Sequence, residues 1–294
     1  MNLDFKNKKV LVRVDFNVPL NDSNEITDDS RMTAALPTLK HILDHEAALI
    51  LMSHRGRPQK KKKADGSIDV EQFTLKYLVD HLGELLGRKI KFGNILNREQ
   101  VSEKASRLKP GEVLLLENTR FDEGEKKGDQ AFAKWLASLA DIYINDAFGT
   151  AHRAHASTAH VAQFFESNQK ALGFLIEKEL KEAEHLLKNP EHPFTAIIGG
   201  AKVSDKIELL KKLIGKVDHL LIGGGMAYTF LKAKGASIGA SLCEEDKLDL
   251  ALELMQRAEQ KGTRIHLPQD SVVADEFKSD AKSKLCNSID IPEG

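Results

Sequence analysis

The chain has 294 residues, of which 41% are hydrophobic and 30% charged, and its 43 basic side chains nearly balance 44 acidic ones. This length predicts about two globular domains, and the composition excludes a disordered chain. Nucleic-acid binding requires a basic excess that is absent here, so we expect no nucleic-acid partner. Two cysteines, Cys243 and Cys286, are too few for a disulfide framework and indicate a reducing compartment.

No targeting or membrane segment is evident in the sequence. Residues 1–9 are charged and lack the apolar core of a signal peptide. No run approaches the ~18 apolar residues that a membrane span needs. We therefore expect a cytoplasmic protein without a membrane partner, and we interpret the lysines at 60–63 as a solvated loop.

Short apolar runs alternate with segments in which apolar residues recur at helical spacing. The runs that we predict as strands are 10–14, 48–52, 113–116, 142–144, 195–198, 220–222 and 264–267. Helical spacing predicts helices within 75–86, 132–139, 207–214 and 248–255. Strands that alternate with crossover helices predict an α/β fold of parallel sheets covered by helices.

A boundary between two lobes is predicted near residue 170. Residues 171–188 have the pattern of one amphipathic helix, which Asn189 and Pro190 end. Four predicted strands precede this helix and three follow it. We therefore predict two α/β lobes, 1–170 and 171–294, joined by the helix at 171–188.

Polar side chains follow the first four predicted strands at the edge where ligands bind in parallel α/β sheets. Three of the four loops contain arginine, and Arg31 lies at the predicted start of a helix capped by Asp29 or Ser30. Converging arginines repel each other unless an anion compensates them, and their guanidinium groups match phosphate and carboxylate oxygens. The first lobe is therefore predicted to bind a small, multiply anionic substrate, with Asp15 and Asn17 as acceptor and donor for a hydroxyl.

Three histidines, His152, His155 and His160, allow a metal site as an alternative, because His152 and His155 could share a helix face. No cysteine lies near them, and small residues suited to tight packing surround them. We interpret them instead as hydrogen-bond donors near an anion pocket and predict no metal site in this chain.

The second lobe contains a glycine–lysine loop directly after its first predicted strand. Gly199 and Gly200 would let the backbone approach a phosphate, and a helix begins beside them. Lys202 and Lys206 would lie on one face of its first turns and reach that phosphate. The spacing is not that of a Walker loop, and no G-x-G-x-x-G motif opens a helix, which disfavours a nucleotide-dependent dehydrogenase.

Five motifs together resemble phosphoglycerate kinase, in the order that this family has them, and the resemblance covers the chain from Val10 onward. They are RVDFNVP at 13–19, SHRGRP at 53–58, ENTRF at 117–121, NDAFGTAHR at 145–153 and GGAKVSDK at 199–206. Two positions depart from the family pattern. Arg55 stands where leucine is usual, and Thr119 stands where valine is frequent.

The resemblance implies a glycolytic kinase with two Rossmann-like lobes that close about a hinge. It would transfer a phosphoryl group reversibly between 1,3-bisphosphoglycerate and ADP, giving 3-phosphoglycerate and ATP with Mg²⁺. By motif, the phosphoglycerate ligands would be Asp15, Asn17, Arg31, His54, Arg57, Arg120 and Arg153. The nucleotide ligands would be Lys202, Lys206, Gly223, Gly224 and Gly225. The residues implied to neutralise charge on the moving phosphoryl group are Arg31, Lys202 and Lys206.

Family members continue for about a hundred residues beyond the segment that resembles IPEG at 291–294. The resemblance implies that this further segment holds a Gly-Gly-Gly-Asp loop with the magnesium-ligating aspartate, and that the second lobe here is incomplete. It also implies a monomer when the chain is complete. A truncated fragment that binds phosphoglycerate without turnover remains an open alternative to the enzyme.

Overall fold

The computed structural model describes residues 1, 3–276, 278, 280–286 and 289–293. The chain divides into two compact units, Met1–Glu184 and His185–Gly294. The division falls inside one helix, Phe174–Lys188. No helix in the described part of the chain is long and apolar enough to cross a membrane.

The first unit is built on a parallel sheet of six strands, counted over the residues that the structure describes, in the order β3-β4-β2-β1-β5-β6. The strands are β1 (Lys9–Arg13), β2 (Ala48–Met52), β3 (Ile90–Gly93), β4 (Val113–Leu116), β5 (Ile142–Asn145) and β6 (Lys170–Leu172). The helices are α1 (Ser30–Asp44), α2 (Val70–Phe73), α3 (Val79–Leu86), α4 (Arg98–Ser106), α5 (Gly124–Lys127), α6 (Gln130–Ala137), α7 (Phe148–Ala151) and α8 (Phe174–Lys188).

Both faces of this sheet are buried, which explains why its central strands are continuous apolar runs. Side chains alternate between two cores: Val10 and Val12 belong to the core that contains α1 and α3, whereas Leu11 belongs to the core that contains α4 and α6. Alternate residues of β2 and β4 divide in the same way. The α/β class predicted from the sequence is therefore confirmed.

Two strands of the first unit were not predicted. β3 contains Lys91 and only two of its four residues are buried, so its pattern is weak. β6 includes two residues, Ala171 and Leu172, that the sequence assigns to the helix at 171–188, because Ala171 pairs with Ile144 at the edge of the sheet. The helix begins only at Phe174, and the predicted start at 171 is wrong.

The second unit contains a smaller parallel sheet in the order β7-β8-β9. Its strands are β7 (Thr195–Gly199), β8 (His219–Gly223) and β9 (Arg264–His266). Its helices are α9 (Ile207–Leu213), α10 (Met226–Ala233) and α11 (Leu248–Gln260), which pack on the sheet through one hydrophobic cluster. Ile197 in β7 is 75% exposed.

An antiparallel hairpin of β10 (Ser271–Ala274) and β11 (Ser283–Cys286) follows, which the sequence did not predict. β10 alternates between half-buried and exposed residues, and β11 is mostly exposed. Neither strand therefore has the buried apolar run by which most other strands were predicted. The predicted second lobe ends at Gly294, which lies outside the described residues.

Candidate active site

Two adjoining depressions in the first unit contain the residues predicted to bind an anion. The larger has a volume of about 540 Å³, and its lining includes Asp15, Asn17, Arg31, His54 and Arg153. Asp15 and Asn17 follow β1, His54 follows β2, and Arg153 lies in the loop after β5. The carboxyl ends of three strands therefore form this cavity, as the pattern of the sequence predicted.

The smaller depression has a volume of about 230 Å³ and is lined by Arg57, Arg120 and Arg153, with Lys60 and Lys126 beside them. Arg153 lines both depressions, so they share one wall. The structure thus brings together all seven residues that the sequence nominated in the first lobe. Their density of positive charge suits an anion with several oxygens.

Asp15 and Asn17 stand at the polar end of the larger cavity. Arg31 Nη1 donates a hydrogen bond to Asp15 Oδ2 at 2.6 Å, and the Arg31 side chain is 51% exposed. Asn17 Oδ1 accepts from the backbone N–H of Gly56 at 2.8 Å, which leaves the Asn17 amide N–H groups for other acceptors. An acceptor and a donor are therefore available side by side.

The start of α1 differs from the prediction. Asp29 precedes the helix, but its side chain makes no capping hydrogen bond. Its Oδ2 instead lies 2.8 Å from Nε2 of His81, on the neighbouring α3. The competing histidine removes the predicted side-chain cap, while Arg31 still lies in the first turn of the helix.

Arg120 is held by a buried polar loop after β4. Glu117 accepts hydrogen bonds from Thr74 Oγ1 at 2.6 Å and from the N–H of Leu75 at 2.8 Å. Asn118 Oδ1 accepts from the N–H of Arg120 at 3.1 Å, and Arg120 Nη1 donates to the carbonyl of Gly56 at 2.6 Å. These contacts fix the guanidinium of Arg120 at the wall of the smaller depression.

The environment of Arg120 is short of negative charge. Burial, together with Arg153 and Arg13, lowers the pKa of Arg120 to about 10. Its buried Nε has no hydrogen-bond partner among the residues that the structure describes. A buried donor without a partner carries a desolvation cost that a bound anion would relieve.

Arg13 belongs to this site although the sequence did not nominate it. It is fully buried at the end of β1, and its Nη2 lies 3.1 Å from Nδ1 of His54. Burial, followed by Arg13, Arg120, Arg153 and His155, lowers the pKa of His54 to about 2, so His54 is neutral. A charged residue inside a buried apolar strand was the available signal, because such a charge needs partners.

His152, His155 and His160 do not have the arrangement that a shared metal site would require. His152 follows the end of α7, whereas His155 precedes a separate π-helical turn, Ala156–His160, so the two share no helix face. His155 Nδ1 lies 3.8 Å from Glu125 Oε1, and His160 Nδ1 lies 2.8 Å from Gln130 Nε2. Among the described residues, no group of three or more His, Cys, Asp or Glu side chains is suited to hold a metal ion.

In the second unit, the loops after β7 and β8 touch each other. The N–H of Met226 donates to the carbonyl of Gly200 at 2.8 Å. Gly224 has φ +68°, and a Cβ there would lie 2.9 Å from the backbone N and O of Gly200. Glycine is therefore required at Gly224 both by conformation and by the close approach of the two loops. Gly223 and Gly225 flank this contact.

The two lysines of the glycine–lysine loop are arranged differently from the prediction. α9 begins at Ile207 after a 3₁₀ turn, Ser204–Lys206, so Lys202 precedes the helical turns and does not share a face with Lys206. Ser204 explains the difference, because its N–H and Oγ both bond Glu244, at 3.0 and 2.6 Å. Lys206 still reaches the loop: its Cε lies 3.8 Å from the position of a Cβ on Gly200.

Comparison with known proteins identifies the family. The sequence model described as phosphoglycerate kinase matches residues 1–294. The phosphoglycerate kinase of Moorella thermoacetica is 53% identical over 293 residues, which cover 100% of this chain and 72% of that relative. The chain belongs to the phosphoglycerate kinase family.

Other phosphoglycerate kinases agree with this assignment. The cytosolic enzyme of Nicotiana tabacum is 49% identical over 99% of this chain and 70% of its own length. The structure of phosphoglycerate kinase from Coxiella burnetii has a TM-score of 0.77 and 40% identity, and the match covers 98% of this chain and 70% of that chain. The one from Pyrococcus horikoshii has the same TM-score at 27% identity. The resemblance noted from five motifs is thus confirmed, and the chain is a kinase, an enzyme that transfers phosphoryl groups.

Proposed function

We propose that the protein transfers a phosphoryl group reversibly between 1,3-bisphosphoglycerate and ADP, giving 3-phosphoglycerate and ATP in glycolysis. The observation that carries this proposal is the cluster of cationic side chains around two joined depressions in a chain of the phosphoglycerate kinase family. The cytosolic relatives from plants support a cytoplasmic location. We propose a monomer, since the reaction requires no second copy.

The first unit is the proposed phosphoglycerate domain. Arg57, Arg120 and Arg153 surround the smaller depression and are suited to the phosphate, because guanidinium groups bind phosphate oxygens bidentately. Asp15 and Asn17 supply the acceptor and donor that a hydroxyl group needs. His54 donates a further hydrogen bond, and Arg31 faces the carboxyl end of the substrate, where the phosphoryl group is transferred.

The second unit is the proposed nucleotide domain. Lys206 lies against Gly200, and Lys202 is exposed in the same loop, so both ammonium groups are available to nucleotide phosphates. Gly223, Gly224 and Gly225 provide a surface without side chains, which suits the flat adenine ring. The proposed phosphoglycerate domain is the unit Met1–Glu184 and the proposed nucleotide domain is the unit His185–Gly294, whereas the sequence predicted lobes of 1–170 and 171–294.

The chemistry requires positioning and charge neutralisation rather than proton transfer. In the direction of ATP consumption, the acceptor is a carboxylate, which is ionised at neutral pH and needs no general base. Arg31, Lys202 and Lys206 neutralise charge on the moving phosphoryl group, which is the main requirement of such a transfer. Because the two substrates bind to different lobes, closure about α8, Phe174–Lys188, precedes the transfer.

Magnesium is proposed to enter with ADP or ATP. Glu244, a carboxylate beside the glycine–lysine loop, accepts hydrogen bonds from the N–H and Oγ of Ser204, and the part of the chain that the structure describes places no two further His, Cys, Asp or Glu side chains with it to hold a metal ion. Bound to the nucleotide, Mg²⁺ would neutralise phosphate charge. The roles proposed above for Arg31, Lys202 and Lys206 do not require any of these side chains to bind the metal.

Calorimetric titration with 3-phosphoglycerate tests the substrate proposal. We expect binding that weakens as salt is raised, because several cations contact the ligand. Glycerate, which lacks the phosphate, is the matched control and should bind at least about tenfold more weakly. Equal heats for both ligands, or none for 3-phosphoglycerate, would contradict the proposal.

Replacement of Lys206 tests its role in transfer. In the full-length gene product, Lys206→Ala should lower kcat by about a hundredfold or more and raise the KM for nucleotide much less, because Lys206 acts mainly on the transition state. Lys212→Ala, which removes an exposed lysine of α9, is the control and should leave both constants unchanged. A wild-type kcat in Lys206→Ala would show that the assignment is wrong.

A further inference from the structure

A line of buried polar side chains lies behind the anion cavity of the first unit. Glu125, Ser157 and Arg13 are each 0% exposed, and His54 at the end of the line is 4% exposed. The proposed transfer uses only His54 among these four. The other three are therefore buried polar groups whose role the reaction does not explain.

The hydrogen bonds in this line have one possible direction. Glu125 holds Ser157 through both carboxylate oxygens: Oε1 accepts from Ser157 Oγ at 2.6 Å and Oε2 from its N–H at 3.0 Å. The Ser157 hydroxyl donates its one hydrogen bond to Glu125, so a lone pair of its oxygen accepts from Arg13 Nε at 2.9 Å. The Arg13 guanidinium also donates to the carbonyl of Val14.

The last bond fixes the protonation of His54. A guanidinium has N–H donors and no acceptor, so Arg13 Nη2 can only donate to His54 Nδ1 across the 3.1 Å between them. Nδ1 must then carry a lone pair, and the ring proton must be on Nε2. Nε2 is the ring nitrogen that remains for a ligand in the cavity that His54 lines.

We propose that Ser157, anchored by Glu125, is a positioning residue that holds Arg13 so that His54 presents a protonated Nε2 to the bound anion. The inference rests on the proposed function only in naming phosphoglycerate as that anion. A free imidazole can place its proton on either nitrogen, and the wrong tautomer would direct a lone pair at the anion. The buried hydrogen bonds from Glu125 through Ser157 and Arg13 exclude the wrong tautomer of His54 already in the free protein.

The tautomer can be measured directly without substrate. Histidine labelled with ¹⁵N gives different shifts for its two ring nitrogens in each tautomer, and His54→Gln assigns the signals of His54. We expect the wild-type protein at pH 7 to have the His54 proton on Nε2. A proton on Nδ1, or a doubly protonated ring, would overturn the inference.

Removal of the Ser157 hydroxyl tests the line itself. Ser157→Ala should give His54 a mixture of tautomers and raise the KM for 3-phosphoglycerate about tenfold, with kcat within about twofold of wild type. Ser157→Thr, which restores a hydroxyl, should recover the tautomer. If Ser157→Ala keeps both the wild-type tautomer and the wild-type KM, Ser157 does not position Arg13.

Tyr143→Phe is a matched control for loss of a buried hydrogen bond. The Tyr143 hydroxyl donates to the carbonyls of Ser157 and Thr158 at 3.1 and 3.2 Å, but no bond to Arg13 depends on it. This variant should lose stability and keep the His54 tautomer. A change of tautomer in Tyr143→Phe equal to that in Ser157→Ala would mean that general loosening is the cause, and would overturn the positioning role.

A second substitution covers the case in which Ser157→Ala does not fold. Glu125→Gln keeps the shape of the side chain but puts an amide N–H where one carboxylate oxygen accepts a bond, so the tautomer of His54 should again become mixed. An unchanged tautomer would overturn the role of Glu125. Failure of the wild type to bind 3-phosphoglycerate, with the proton found on Nε2, would reject the proposed function and leave the positioning inference standing.

Discussion

At the scale of single residues, the site is dominated by cations that lie close enough to repel one another. Arg153 and Arg13 both lower the pKa of Arg120, after burial itself, and the same two arginines act on His54. Such mutual repulsion is stored in the free protein and is relieved when an anion binds. The arrangement therefore raises the affinity for a multiply charged anion above that for a singly charged one.

Arg153 should be the most sensitive of these positions because it lines both depressions. We expect Arg153→Ala to raise the KM for 3-phosphoglycerate about tenfold to a hundredfold, and Arg153→Lys to recover only part, because a lysine lacks the bidentate fork. Steady-state kinetics measure both. Arg107→Ala is the control, since Arg107 is exposed and forms an ion pair with Glu103 of α4; an equal effect there would contradict the assignment.

The apolar runs predicted where an anion site would lie, and the resemblance to the family motifs supplied most of the individual residues. Asp15, His54 and Arg120 all lie after such runs, where the carboxyl ends of parallel strands meet. Glu125 and Ser157 could not be identified, since they lie in short helical turns whose burial depends on contacts 32 positions apart. Buried residues that only hold the side chains lining a cavity cannot be recognised from the periodicity of the sequence.

At the scale of elements, the contact between the loops after β7 and β8 depends on glycine. Gly224→Ala places a methyl group 2.9 Å from backbone atoms of Gly200 and strains a left-handed backbone. We expect it to weaken ADP binding at least about tenfold in calorimetry and to leave 3-phosphoglycerate binding intact.

Gly235→Ala is the matched control for this change. Gly235 has φ +93°, but a Cβ there meets nothing within 4 Å, so only the conformational cost of about 1 kcal/mol remains. Loss of ADP affinity in both variants to the same extent would mean that the loop contact has no special role.

The start of α8 is held by a buried carboxyl group from the loop after β5. Asp146 Oδ1 accepts from the N–H groups of Leu175 and Ile176 at 2.9 and 3.3 Å. Gly173 permits this approach, because a Cβ there would lie 2.2 Å from the same oxygen. The NDAFGTAHR loop and the helix that contains the division between the units are thus joined at one residue.

Asp146 should give the first unit a distinctive dependence on pH. Burial raises the pKa of Asp146 in the folded protein above its usual value of 3.8. The protonated carboxyl therefore stabilises the fold fully below pH 3.8, and this stabilisation is lost as the pH rises through the raised pKa. Relative to Asp146→Asn, which lacks this titration, the wild-type free energy of unfolding should increase as pH falls from about 7 to 4. Denaturation followed by Trp135, the single tryptophan, measures the difference; a constant difference would contradict the expectation.

The elements that the sequence predicted are those with continuous apolar burial. β2 and β4 coincide with their predicted runs because every residue in them is buried. β6 was missed because its three residues are half-buried or exposed and continue the spacing of the following helix. Edge strands are defined by pairing with a distant segment, which local periodicity does not record.

At the scale of the whole molecule, the proposal that each unit binds a different substrate can be tested by measuring the stability of one unit. A ligand that binds only the native state raises its stability by about 2.7 kcal/mol at a hundred times its Kd. Trp135 lies in the first unit and reports on that unit alone. 3-Phosphoglycerate should therefore move the Trp135 transition to higher denaturant, whereas ADP should not. A shift by ADP alone would reverse the proposed domain roles.

The order of strands in the first unit also has a consequence for synthesis of the chain. β1 is one of the first elements made, but it pairs with β5 on one side, and Asp141 next to β5 accepts a hydrogen bond from Lys9, 132 positions earlier. At a translation rate of about 5–20 residues per second, that edge of β1 waits about seven to twenty-six seconds on the ribosome for its neighbour. During this interval an apolar strand has an unpaired edge, which makes the nascent chain a substrate for chaperones.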